Sequence, residues 1–71
     1  MNPHNDAKLL HGTYGREKAL FVAASRTSLF GPSAYILEKL APPYRGEYVQ
    51  RSKHAPPSHY WVEVVHAIER M

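Results

Sequence analysis

The sequence HYWVEVVH, residues 59–66, can be read in two ways, and the fold turns on the choice. As a strand it sets Tyr60, Val62 and Val64 on one face, and Trp61 and Val65 on the other with Glu63 between them. Tyr, Trp and Val are the residue types favoured on a pleated surface. As a helix it takes Ser58 as cap, gathers Trp61, Val64, Val65 and Ile68 on one side, and leaves His59, Glu63, His66 and Arg70 on the other. Composition predicts a strand over 59–66, with AIERM (67–71) turning helical afterwards.

Moving upstream, HAPPS (54–58) is a loop signal because Pro56 and Pro57 break either regular element. Before it, GEYVQRSK (46–53) holds Tyr48 and Val49 in a β-prone run, so residues 44–66 read as a β-hairpin. GPSAYILEKLA (31–41) reads as a helix. Pro32 suits its first position or Ser33 its cap, the apolar residues from Tyr35 or Ile36 through Leu37 and Leu40 share a face, and Pro42–Pro43 stop it. REKALFVAAS (16–25) reads as another helix, built from good helix formers with Leu20, Ala23 and Ala24 on one face. A run such as ALFVA also suits a short buried strand. Residues 1–12 begin polar and end at Gly12, which predicts a mobile N-terminal arm; Asn5 or Asp6 could cap a short helix within it, through Leu10.

The fold class expected is therefore α+β: an arm over 1–12, then a single domain over 13–71 with two short helices followed by a β-hairpin. Its core should draw on Leu20, Phe21, Ala24, Phe30, Ile36, Leu37, Leu40, Val62 and Val64. Helix, turn, helix and basic hairpin is an order that resembles the winged helix-turn-helix family. That resemblance implies a DNA-binding regulator whose second helix enters the major groove. Here the second helix offers only Ser33, Tyr35, Glu38 and Lys39, which departs from the Arg, Asn or Gln that read base edges.

Length bounds the chemistry. In 71 residues there is room for one domain, and little room to enclose a pocket of roughly 300 Å3 or more. The acids Asp6, Glu17, Glu38, Glu47, Glu63 and Glu69 form no close pair, and no serine lies in a G-x-S-x-G elbow. The chain has no cysteine, and its five histidines (4, 11, 54, 59 and 66) match no zinc spacing. Neither an enzyme, a metal nor a cofactor is expected. A polar start and the lack of a long apolar run predict a soluble cytoplasmic protein with no membrane partner.

What remains is a surface. Nine Lys and Arg against six acids give a net charge of +3, enough to favour phosphates or acidic protein surfaces weakly. Basic and aromatic residues interleave between Tyr44 and Trp61, and Arg, Tyr and Trp dominate binding hot spots. The candidate partner-binding residues are Arg45, Tyr48, Arg51, Lys53 and Trp61. For the rings the competing assignment is core, and for the cations a solvated edge. In general character the chain resembles small phage-encoded regulators of host transcription machinery. That resemblance implies docking on a larger protein such as RNA polymerase, with nucleic acid as the alternative ligand.

Overall fold

The computed structural model describes residues 2–27, 37–56 and 58–71, and every regular element among them is helical. Helix α1 spans Pro3–Tyr14, α2 spans Arg16–Ala24, α3 spans Arg45–Ser52 and α4 spans His59–Glu69. Residues 37–40 are also helical, and a 3-10 turn at Pro42–Tyr44 leads into α3. There is no strand among the described residues, so the α+β expectation is overturned and the hairpin over 44–66 is replaced by α3 and α4. Without a hairpin there is no wing, and the likeness to a winged helix fails there.

Residues 59–66 are helical because the 3.6-residue period prevails over β propensity. Ser58 is extended (φ −144°, ψ 109°), and its Oγ accepts from the Trp61 amide at 3.5 Å, a helix N-cap. Val64, Val65, Ala67 and Ile68 are then buried together on one side of α4. A strand would have sent Val64 and Val65 to opposite faces.

The segment expected as an arm is helical from Pro3. Asn2, rather than Asn5 or Asp6, is the cap: its Oδ1 accepts from the His4 amide at 2.9 Å, and Pro3 follows at the first helical position. Ala7 is fully buried, so α1 contributes to the core.

Helices α1, α2 and α4 pack against one another in a three-helix unit. Its ends are pinned by side chains. At one end Tyr60, early in α4, donates to Asp6, early in α1. At the other, the Arg16 guanidinium donates to the Glu69 carbonyl at 3.3 Å, where a cation meets the negative end of α4. Arg26, just past α2, lies over Trp61 in the first turn of α4. Helices α1 and α4 therefore run the same way and α2 runs back.

The seam is made largely of alanine. Ala7, Ala19, Ala23, Ala24 and Ala67 are buried among Leu20, Val64, Val65 and Ile68, and small side chains let the axes approach closely. Of the expected core, Leu20, Phe21, Ala24, Leu37 and Val64 are buried, while Leu40 and Val62 are half-buried. Phe30 and Ile36 lie outside the described residues, as does most of the expected helix at 31–41.

Candidate docking surface

Helix α3 meets the bundle through α2. Its approach is set by Pro42 and Pro43, whose fixed φ angles and missing amides close one 3-10 turn and orient Tyr44. The Tyr44 ring stacks on Phe21 of α2 with centroids 4.9 Å apart and planes 18° from parallel. One turn further, Tyr48 is buried at 3% exposure, and Ser52 one turn beyond is fully buried. The Ser52 hydroxyl donates to the Tyr48 carbonyl at 2.7 Å, so it needs no solvent. Tyr48 and Ser52, four residues apart, define the inner face of α3.

The helical period assigns the remaining residues to two flanks. On one, Glu47 and Arg51 pair across one turn at 3.0 Å, and the Arg51 guanidinium lies 5.6 Å from the Phe21 ring centroid. On the other, Arg45, Val49 and Lys53 succeed one another at intervals of four, all exposed. Arg45 pairs with Glu38 at 2.8 Å, both side chains being at least half exposed. Val49 is 44% exposed, an apolar side chain between two cations. Lys53 has no ion-pair partner among the described residues.

The five residues singled out from sequence are thus separated. Arg45 and Lys53 share a flank, Arg51 occupies the opposite one, and Tyr48 is in the core. Trp61 is on α4, half-buried, with the Arg26 guanidinium 4.3 Å from its ring centroid and Tyr60 edge-on at 5.2 Å. Val49 is the member that sequence reasoning missed. Its signal was the spacing 45, 49, 53, which puts the three residues on one face whether the segment is helix or strand.

A small open cleft on α4 is lined by Glu63, His66 and Arg70, and His66 Nδ1 is 3.7 Å from Glu69 Oε2. Among the described residues no three His, Asp or Glu side chains come together as a metal site would require. No described helix is long and apolar enough to cross a membrane. No known family model, curated protein or solved structure matches the chain.

Proposed function

We propose that this chain is a small non-enzymatic regulator that docks on a larger protein through the Arg45–Val49–Lys53 flank of α3. The observation that carries the reading is that this flank sets a half-exposed valine between two exposed cations, the first of them at an unfavourable place in the helix. Arg45 is a cation in the first turn of a helix, where the dipole disfavours it. Val49 holds apolar surface in water one turn later. Sequences tend to depart from local preference where a surface is used.

The transcription machinery is the first partner to test, on the strength of the chain's general resemblance to small phage-encoded regulators. Docking would act by covering a surface or by favouring one state of the partner. Duplex DNA is less well served by this flank. It offers two cations, one already paired, where specific complexes commonly use about six to ten phosphate contacts.

The test is fluorescence anisotropy of the labelled chain with purified bacterial RNA polymerase, comparing the native protein with an R45E/K53E double variant. Reversal at Arg45 favours the helix dipole but loses the pair with Glu38, and reversal at Lys53 opposes the dipole; at these exposed sites each effect is about 0–1 kcal/mol, and a melt of the variant checks that the fold holds. Binding that weakens by at least about tenfold in the variant supports the proposal. Equal binding by both proteins, or none by either, refutes it.

A further inference from the structure

Resting on that docking surface, we infer that its occupant is an acidic helix with two carboxylates two turns apart and an apolar side chain between them. The dimensions of α3 lead there. Arg45 and Lys53 are eight residues apart, about 12 Å along the axis at roughly 1.5 Å per residue, and Val49 lies midway. A second helix laid alongside repeats that interval with its own residues i, i+4 and i+8. A carboxylate at each end meets a cation while a leucine-sized side chain in the middle covers Val49. Same-face residues of an extended strand recur about every 6.6 Å, so over the three positions a strand runs out of step by about 1 Å, whereas a helix repeats the interval itself.

Charge complementarity selects the sign of the occupant. Lys53 has no ionic partner among the described residues. Among the described residues Arg45 pairs with Glu38, both exposed, and such pairs contribute about 0–1 kcal/mol, so exchange with an incoming carboxylate is nearly neutral. Guanidinium geometry also favours a carboxylate, which it can grip with two parallel hydrogen bonds. A second copy of this chain does not supply the occupant. No two of its acids, at positions 6, 17, 38, 47, 63 and 69, are eight residues apart. The central Val49 fits a nucleic-acid backbone poorly, because phosphates repeated along the strand place charge beside its apolar surface.

Glu38 has a distinct part in this arrangement. It competes with the occupant for Arg45, so removing its charge should tighten binding. A merely structural ion pair would give the opposite sign or no effect.

The probe is a labelled alanine-rich peptide of roughly 20 residues, long enough to hold helix in water, carrying Glu at i, Leu at i+4 and Glu at i+8. Its control has the same composition with the two Glu on opposite faces. Anisotropy should show the native chain binding the spaced peptide at least about fivefold more tightly than the control. Val49→Ala should weaken it about threefold without loss of helix, since alanine is the better helix former. E38Q should tighten it by about twofold. Equal binding of the two peptides, no binding of either, or tighter binding of a duplex oligonucleotide overturns the inference. Failure with peptides beside polymerase binding that depends on Arg45 and Lys53 leaves the docking flank standing and refutes the acidic helix. Failure of both refutes both.

Discussion

The Tyr60 hydroxyl donates to the Asp6 carboxylate, joining residues 54 positions apart and tying the first turn of α4 to that of α1. It is a bond to a charged acceptor in a part-buried setting, and such bonds contribute more than neutral ones. Tyr60→Phe keeps the ring against Trp61 and removes only the donor. We expect a loss of about 1–2 kcal/mol, seen as a fall in melting temperature of roughly 5–10 °C. A circular dichroism melt superimposable on the native curve would show that the bond contributes nothing.

Gly12 and Gly15 should respond to alanine with opposite signs. Gly12 is exposed within α1, and a Cβ there meets no atom within 4 Å. Gly12→Ala removes a flexible residue from a helix interior and should stabilise the fold by about 0.5–1 kcal/mol. Gly15, the one residue between α1 and α2, has φ 81° and ψ 172°, a conformation almost restricted to glycine. A Cβ there also meets nothing within 4 Å, so the penalty for Gly15→Ala is backbone strain alone, about 1–3 kcal/mol. Urea titration of the two variants checks the sign of each; a shift in the same direction would refute the assignment.

The contrast between α2 and α4 shows what could be read from residues alone. In α2 propensity and period agree, since Arg16 to Leu20 are helix formers and Leu20, Ala23 and Ala24 share a face. In α4 they disagree, because Tyr60, Trp61, Val62, Val64 and Val65 are β-prone while the spacing 61, 64, 65, 68 is helical. Tertiary burial decided it: a helix capped by Ser58 puts Val64, Val65 and Ile68 into one core with α1 and α2. For α1 the signal was Asn2 before Pro3, a cap followed by a residue suited to the first turn. Of the seam alanines, Ala23 and Ala24 were marked by the face they share with Leu20, while Ala7, Ala19 and Ala67 were not singled out, because alanine is common both inside and outside a fold. The candidate surface was legible in its cations, since a strand reading also puts Arg45, Val49 and Lys53 on one face; what stayed hidden is that the helical period turns Arg51 away from them and buries Tyr48.

Tyr48 carries a buried hydroxyl that has no hydrogen-bond partner among the described residues. Leaving such a group unpaired costs about 1–3 kcal/mol relative to its hydration in the unfolded chain. Tyr48→Phe removes that penalty and keeps the ring on the inner face of α3, so stability should be equal or higher by about 1 kcal/mol. Tyr48→Ala should instead cost about 3–5 kcal/mol through the cavity it leaves. Denaturant midpoints of the two variants test this, and a Phe variant clearly less stable than the native chain would reveal a partner for the hydroxyl.

Arg51 and Lys53 are two residues apart and should act in separate ways, because they belong to opposite flanks of α3. Arg51 is engaged within the chain by Glu47 and by the face of Phe21. Arg51→Ala should therefore lower stability by about 0.5–1 kcal/mol, the scale of an exposed cation–π contact with a surface ion pair. Its effect on docking should be small. Lys53 makes no such contact among the described residues, so Lys53→Ala should leave stability within about 0.5 kcal/mol. Docking should weaken in that variant, and the loss should shrink as salt is raised, because screening already weakens an exposed charge contact. Paired melts and binding titrations at two salt concentrations separate the residues. If Arg51→Ala weakened docking while Lys53→Ala did not, the contact surface would lie on the Phe21 flank, and the Arg45–Val49–Lys53 stripe would be only solvated helix.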